Sequence, residues 1–212
     1  MHTKSYHKLV IVSTVLIIIG ASGYFIFQKH NKKQLDNKVQ AILVEKDFDI
    51  VVGDKNAELT VVLYYGYNCF YCKKFFEKGY DQLNDDFIKS KKVKIILRLM
   101  TTSRNLQIEN ALKSIICVNK VGSFEYLHDL LLYNYSVIFS PEFQEIIDEF
   151  IEKDLAFAEC FLEDDVLEYL QNNYNDLKKL GSKSLPTFVI GNKTYLGYKD
   201  YETLKQIISK HL

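Results

Sequence analysis

The sequence predicts an α/β domain that contains an all-helical insertion and follows one N-terminal transmembrane helix. Two β-branched segments flank a segment with helical periodicity, which is the order of a parallel strand-helix-strand unit. A long stretch with helical spacing follows before strand patterns return near the C-terminus. At the N-terminus, residues 9–27 form an almost uninterrupted apolar run that contains no charged side chain.

The composition is that of a globular protein with enough apolar residues for a sizeable core. Of the 212 residues, 48% are hydrophobic, so disorder is not expected. Lysine and arginine total 27, and aspartate and glutamate total 27, so the formal net charge is zero. This balance gives no overall electrostatic reason to expect binding to nucleic acid or to a strongly acidic substrate.

The N-terminal apolar run is long enough to cross a bilayer, since a membrane-spanning helix needs about 20 predominantly apolar residues. Lysines flank the run on both sides, so their distribution says little about orientation. We expect a cytoplasmic tail over residues 1–8, an uncleaved anchor over 9–27 and a juxtamembrane linker over 28–45. A cleaved signal peptide is the alternative, with residues 21–23 as the best cleavage candidate.

In the first half of the chain that follows the predicted linker, the sequence predicts three strands and one helix. Residues 48–52 form a short apolar segment, and Leu59–Tyr65 and Val93–Leu99 are longer runs rich in β-branched and aromatic residues. Between the two longer runs, apolar residues recur at the spacing of an amphipathic helix. The two longer strands are therefore expected to pair in parallel, connected by the helix.

Residues 104–178 are expected to form the all-helical insertion, because their apolar side chains fall at helical spacing between turn signals. Strand patterns return at residues 187–190 and 194–196, on either side of a Gly-Asn turn, which is typical of a β-hairpin. Residues 200–212 then predict a C-terminal helix.

The most informative motif is Cys69-Phe70-Tyr71-Cys72, at the point where a strand pattern gives way to a helical one. Cys69 would lie at the helix N-terminus, where unpaired backbone N–H groups and the helix dipole favour the reactive thiolate. Cys72, almost one turn later, can form the internal disulfide. The alternative is half of a zinc site, but the other cysteines are single and no histidine follows at a suitable interval, so no metal is expected.

With this motif, the helical insertion and the later segment SLPTFVIGNK (184–193), residues 46–212 resemble the DsbA family of thiol:disulfide interchange proteins. The resemblance implies a thioredoxin fold. Its core would comprise residues 46–103 and 179–212, interrupted by the helical insertion.

The resemblance also implies the roles of the site residues. Cys69 would be the nucleophile and Cys72 the resolving cysteine, and Leu185-Pro186 would be a cis peptide bond that faces the pair. On its own, Pro186 could be an ordinary turn proline. Its position after the insertion and before the hairpin favours the active-site loop.

Departures from the family pattern bear on the reactivity of the pair. Phe70 and Tyr71 replace the Pro-His of the best-known strong oxidant of the family, and with Leu185 they are expected to tune the thiolate. The redox potential therefore stays open. Leu63 occupies the strand position where several relatives place a buried acid, so another group or water must accept the proton.

Cys117 and Cys160 lie on apolar helical stretches, where a free buried cysteine is common. In an exported domain two such thiols would be prone to oxidation, so we expect a structural disulfide between them. It would join two helices of the insertion and close a loop of about 40 residues, worth roughly 3–4 kcal/mol in the chain-entropy model.

These observations predict an extracytoplasmic oxidoreductase that introduces disulfides into exported proteins through Cys69 and Cys72. We expect a single-pass protein of the bacterial inner (cytoplasmic) membrane, with its catalytic domain in the periplasm or cell-envelope space. Its substrates would be unfolded exported proteins with free thiols, no cofactor is expected, and the resemblance implies a DsbB-like membrane partner that reoxidises it. Two alternatives stay open: a disulfide isomerase or reductase, and a chaperone-like module that binds unfolded exported proteins.

Overall fold

The computed structural model describes residues 3–212 apart from 102 and 123, and it describes side chains from residue 20 onward with the same two gaps. Within this part, the strands are β1 (Ile50–Val52), β2 (Leu59–Tyr65), β3 (Val93–Leu99), β4 (Thr187–Ile190) and β5 (Lys193–Leu196). The helices are Thr3–Leu43, a continuous helical segment over 70–88, Leu106–Lys120, Phe124–Tyr133, Pro141–Lys153, Leu155–Leu162, Asp165–Lys179 and Tyr201–Ser209, with a 3-10 turn at Tyr135–Phe139. The chain divides into two compact units, Met1–Lys38 and Val39–Leu212.

The strands form one sheet in the order β1-β3-β2-β4-β5. β2 and β3 run parallel, with Leu59 beside Val93 and Tyr65 beside Leu99, whereas the other neighbours are antiparallel. Both parallel strands are buried along almost their whole length, which explains why their sequences are continuous apolar runs and do not alternate. The predicted α/β fold is confirmed.

The helical segment over 70–88 connects β2 to β3 and carries the cysteine pair at its start. It is α-helical over Phe70–Phe75 and contains two π-helical stretches, Phe76–Tyr80 and Asn84–Ile88. Because β2 ends just before this segment, the N-terminus of the helix lies at the carboxyl edge of the two parallel strands. That edge is where ligand and active sites of parallel sheets usually lie.

The described secondary-structure elements between β3 and β4 are all helical. Asn105, Ser140 and Asp154 are N-caps, and each side chain accepts a hydrogen bond from the backbone N–H three residues later. The apolar faces of these helices and one face of the sheet share a single continuous core. The insertion is therefore part of the same domain as the sheet, and its residues can reach the cysteine pair.

A buried ion pair fixes β3 to its surroundings. Arg98 has no exposed side-chain surface and binds Asp49 with two hydrogen bonds, 2.8 Å from Nε to Oδ1 and 2.6 Å from Nη2 to Oδ2. The guanidinium also donates to the main-chain carbonyl of Ile42 at 2.6 Å, and the Tyr169 hydroxyl donates to Asp49 at 2.7 Å. The pair thereby connects the end of the N-terminal helix, β3 and the last helix of the insertion.

The N-terminal helix Thr3–Leu43 continues further into the domain than the predicted linker allows. Val39 and Ile42 are only 2% and 5% exposed, and they lie in an apolar cluster with Val62 of β2. The compact unit accordingly begins at Val39 and not at residue 46. These two apolar residues, one helical turn apart, cover the second face of the sheet.

Within the described part of the chain, no helix combines the length and the apolarity needed to cross a membrane. The expected cytoplasmic tail, residues 1–8, lies outside the residues whose side chains are described, as do residues 9–19 of the expected anchor over 9–27. Of the remaining anchor residues, the aromatic and aliphatic side chains from Tyr24 to Phe27 are each more than half exposed.

Candidate functional site

Cys69 and Cys72 form a disulfide at the N-terminus of the helical segment over 70–88, with their Cα atoms 5.2 Å apart. Cys69 is the N-cap residue, and its Sγ accepts a hydrogen bond from the backbone N–H of Cys72 at 3.1 Å. In the reduced protein the same N–H group and the positive end of the helix dipole would stabilise a Cys69 thiolate.

The two sulfurs differ in accessibility. Cys72 is fully buried, whereas Cys69 is half-buried and therefore open to attack from solution. The two residues between them are exposed, Phe70 by 76% and Tyr71 by 54%, and their rings contact each other edge to face at 5.4 Å. An incoming thiolate therefore reaches Cys69 first and meets an aromatic surface beside it.

The loop before β4 lies next to the cysteine loop. The Leu185–Pro186 peptide bond is cis. Leu185 approaches Gly66, because a Cβ atom on that glycine would be 3.5 Å from the Leu185 Cδ1 atom. Thr187 follows the proline and donates its hydroxyl to the carbonyl of Ser184 at 2.6 Å, which holds the loop in place. The loop that the sequence predicted for the site is thus brought beside it.

A groove of about 250 Å³ opens beside Cys69. Its walls come from the cysteine loop, the end of β3, the first helix of the insertion, the 3-10 turn and the proline loop. The lining residues are Gly66, Tyr67, Asn68, Cys69, Met100, Thr101, Ser103, Ile108, Leu112, Tyr135 and Leu185. The mixture of apolar walls with a few hydroxyl and amide groups suits an extended peptide segment.

Sequence reasoning missed the side of this groove that follows β3. Met100, Thr101 and Ser103 come directly after the strand, and Ile108 and Leu112 lie on the helix that begins next. The parallel pairing of β2 and β3 could have predicted this side, because the residues that follow each strand meet at one edge of the sheet.

Two lysines follow Cys72, and their ammonium groups lie over aromatic rings. The Nζ atom of Lys73 is 5.3 Å from the centre of the Tyr133 ring, and that of Lys74 is 4.7 Å from the centre of the Tyr198 ring. Lys73 also lies 3.8 Å from a Glu77 carboxylate oxygen. Lys73 therefore contacts the insertion helix Phe124–Tyr133, and Lys74 contacts the loop that follows β5.

A buried polar network links the cysteine loop to the insertion. The Tyr67 hydroxyl is hydrogen-bonded to Nδ1 of His128 at 2.8 Å and lies 3.2 Å from the Tyr65 hydroxyl. Burial lowers the pKa of His128 to about 4 and raises the pKa of Tyr67 well above its ordinary value. Both groups are therefore neutral near pH 7.

Cys117 and Cys160 form the second disulfide and are 0% and 1% exposed. The bond joins the insertion helices Leu106–Lys120 and Leu155–Leu162. Because both sulfurs are buried, this disulfide is closed to thiols that can reach Cys69. Within the part of the chain that the structure describes, no group of three or more His, Cys, Asp or Glu side chains is placed to hold a metal ion.

Comparison with known proteins relates this arrangement to a family. A family model described as thioredoxin matches residues 45–210. A protein of Rickettsia conorii, whose name assigns it provisionally as a protein-disulfide oxidoreductase, is 23% identical over 195 residues, which cover 86% of this chain and 68% of the relative.

Solved structures share the fold. α-DsbA1 of Wolbachia pipientis is 20% identical with a TM-score of 0.64, and the match covers 81% of this chain and 94% of that chain. The catalytic domain of Proteus mirabilis ScsC is 26% identical with a TM-score of 0.64, and the match covers 84% of this chain and 97% of that chain. The predicted resemblance and enzyme class are confirmed. The chain belongs to the thioredoxin family, and its fold is that of the DsbA-like structures.

Proposed function

We propose that this protein transfers the Cys69–Cys72 disulfide to pairs of thiols in unfolded exported proteins. The observation that carries the proposal is the difference between the two sulfurs: Cys69 is accessible and caps the helix, whereas Cys72 is fully buried. A client thiol can therefore form a mixed disulfide at only one of them. The apolar groove beside Cys69 offers a surface for the client segment that carries the thiol.

The reaction proceeds by two thiol–disulfide exchanges. A client thiolate attacks Sγ of Cys69, a bond forms between these sulfurs, and Cys72 leaves as a thiolate that takes up a proton. A second client thiolate then attacks the client sulfur of the mixed disulfide, and Cys69 leaves as a thiolate. The client loses two electrons and gains a disulfide, while the protein gains both electrons as two thiol groups.

The helix N-terminus favours this direction of transfer. A Cys69 thiolate is stabilised by the Cys72 backbone N–H group and by the helix dipole, so the reduced form is stabilised relative to the disulfide. A disulfide whose reduced form is stabilised in this way is a stronger oxidant. Phe70, Tyr71 and Leu185 border the pair and would tune this effect through the solvation of the thiolate.

The proposed setting is the envelope of a bacterial cell. Residues 9–27 would anchor the chain in the cytoplasmic membrane behind a cytoplasmic tail, residues 1–8, and the catalytic domain would lie in the periplasm or cell-envelope space. The support is the apolar run in the sequence and the pairing of all four cysteines in disulfides, which persist outside the cytoplasm. A DsbB-like membrane partner would reoxidise the pair, as the family resemblance implies.

Within this setting the proposed catalytic domain keeps a thioredoxin core, residues 46–103 and 179–212, interrupted by the insertion over 104–178. The burial of Val39 and Ile42 adds the end of the predicted linker to that domain.

A binding function without redox turnover is the second candidate, because the groove beside Cys69 is lined largely by apolar side chains. Such a chaperone-like module would hold unfolded clients whether or not the cysteines exchange. An isomerase or reductase would use the same cysteines at a lower redox potential.

The test of the proposal is the oxidation of a reduced, unfolded protein that contains two cysteines by the full-length oxidised protein, followed by client thiol content. We expect one client disulfide per molecule and none from the Cys69→Ser/Cys72→Ser variant. The matched control is Cys117→Ala/Cys160→Ala, which also lacks two cysteines but should retain the transfer. A client that becomes oxidised equally with the Cys69→Ser/Cys72→Ser variant contradicts the proposal, and clients that are bound but never oxidised favour the chaperone-like function.

A further inference from the structure

One hydrogen bond joins the cysteine loop to the helical insertion. It connects the Tyr67 hydroxyl to Nδ1 of His128 at 2.8 Å across 61 residues of sequence. Both side chains are almost fully buried, with 4% and 7% of their surface exposed. Tyr67 lies two residues before Cys69, whereas His128 lies on the insertion helix Phe124–Tyr133. The proposed reaction does not use this contact.

The His128 ring is held in one orientation by aromatic neighbours on both sides. The Phe124 ring stacks on it at 4.9 Å with an interplanar angle of 30°, and the Phe76 ring meets it edge to face at 4.7 Å. Tyr67 itself contacts the imidazole edge to face at 5.5 Å. With these rings in place the imidazole has little freedom to rotate, so its Nδ1 atom is a fixed point for the Tyr67 hydroxyl.

Tyr67 is part of the wall of the groove beside Cys69, together with Leu112, Tyr135 and Leu185. No turn of a helix or strand holds this residue, because β2 ends at Tyr65 and the helix begins only after Cys69. The position of its ring is therefore set by the loop backbone, by edge-to-face packing on the Tyr65 ring at 5.5 Å and by the hydroxyl bonded to His128.

We infer that His128 is a positioning residue that holds Tyr67 in the wall of the groove and thereby determines how a client segment fits beside Cys69. The inference rests on the proposed function and deepens it, because it names a determinant of client fit. Loss of the hydrogen bond would leave a buried hydroxyl with only the longer contact to Tyr65, and the Tyr67 ring would be held in the groove wall by its packing alone. The effect would fall on client binding and not on the exchange chemistry.

The experiment compares variants of the full-length protein with two thiol probes: a reduced cysteine peptide with apolar flanking residues, and reduced glutathione, which lacks such residues. His128→Phe keeps a ring in the cage but removes the hydrogen-bonding nitrogen, and Tyr67→Phe removes the hydroxyl. His128→Asn tests rescue, since its amide can take the place of Nδ1. The matched control is Tyr65→Phe, which removes a buried hydroxyl from the same network but does not line the groove.

The oxidised protein reacts once with each probe, so the exchange is measured in a single turnover with the probe in excess. We expect His128→Phe and Tyr67→Phe each to raise the peptide concentration that gives the half-maximal rate roughly five- to tenfold, which is the effect of losing one buried hydrogen bond. The maximal single-turnover rate with the peptide and the rate with glutathione should change less than about twofold. The double variant should be no worse than either single variant, His128→Asn should recover part of the loss, and Tyr65→Phe should behave as the wild type.

Additive losses in the double variant, equal slowing with peptide and glutathione, or the same loss in Tyr65→Phe would each overturn the inference. A wild-type protein that oxidises neither probe would overturn the proposed function instead. In that case the rate of alkylation of the reduced protein decides the inference. A bulky aromatic maleimide and the small iodoacetamide both report access to Cys69. A lower ratio of bulky to small reagent rates in His128→Phe supports it, and an unchanged ratio overturns it.

Discussion

The backbone N–H group of Cys72 donates a hydrogen bond to the Sγ atom of Cys69 at 3.1 Å. Cys72 thus contributes twice to the site, through its sulfur in the disulfide and through its main chain to the Cys69 sulfur, which we propose as the atom that clients attack. Because the main-chain contact does not depend on the Cys72 side chain, it should persist in variants that lack the second sulfur.

This relationship predicts opposite behaviour of the two single cysteine variants. Cys72→Ser should retain a reactive Cys69 and accumulate a mixed disulfide with clients, because no second protein thiol can release it. Cys69→Ser should accumulate little of the mixed disulfide, because the remaining Cys72 thiol is fully buried. Non-reducing electrophoresis and mass spectrometry of each variant, incubated with a client that carries an activated disulfide, measure the trapped fraction. Equal trapping by both variants would contradict the assignment of Cys69 as the attacked sulfur.

Removal of the second disulfide should lower stability and leave the exchange reaction intact. Cys117 and Cys160 are separated by 43 residues, and a crosslink that closes a loop of this length contributes about 4 kcal/mol in the chain-entropy model. Urea unfolding of oxidised Cys117→Ala/Cys160→Ala should show this loss relative to the wild type, while the initial rate of client oxidation stays unchanged. A strong fall in that rate in the folded variant would instead indicate that this pair takes part in electron transfer.

The buried ion pair predicts a large loss of stability when only one partner is neutralised. Asp49→Asn would leave the Arg98 guanidinium buried without a counter-charge. Such a change lowers the free energy of unfolding by about 3–5 kcal/mol. The control is Asp49→Leu/Arg98→Met, which removes both charges and should be destabilised less than the single variant. Free energies of unfolding in urea test the order. A double variant that is the less stable of the two would contradict this account of the pair.

Acidification should destabilise the protein through His128. Burial lowers its pKa from 6.5 to about 4, so between these values the unfolded chain binds more protons than the folded one. The part of the unfolding free energy that depends on a neutral His128 is fully present above pH 6.5 and is lost as the pH falls toward 4. The pKa shift corresponds to on the order of 3 kcal/mol. The measurement is the difference in unfolding free energy between the wild type and His128→Phe, followed from about pH 7 to pH 4. That difference should become smaller as the pH is lowered. A difference that stays constant would contradict a neutral buried imidazole.

Local features of the sequence were sufficient to predict the strands and the cysteine turn. β2 and β3 have the predicted bounds because each is a short apolar run bounded by polar residues. Cys69 caps the helix, as the change of periodicity at that residue predicts. The first strand is shorter than predicted: residues 48–52 were expected, and the structure has Ile50–Val52, since Asp49 is used for the ion pair with Arg98.

Features that depend on distant residues were not predictable in the same way. The Tyr67–His128 bond and the Arg98–Asp49 pair each join segments that lie far apart in sequence, and no local pattern specifies such partners. A signal for the second existed, because a single arginine within an apolar strand must find a buried counter-charge. The burial of Val39 was missed because the polar residues around it resemble a solvated linker.

The equilibrium redox potential of the Cys69–Cys72 pair tests the proposed role most directly. The full-length protein would be equilibrated in glutathione buffers, acid-quenched and alkylated, and the mass shift would report the fraction of reduced pair. Tryptophan fluorescence offers no readout, since the chain has no tryptophan. We expect two reactive thiols per folded molecule and a midpoint between about −100 and −150 mV, the range of strong disulfide donors. A midpoint near or below about −200 mV would contradict the oxidase role and favour an isomerase or reductase.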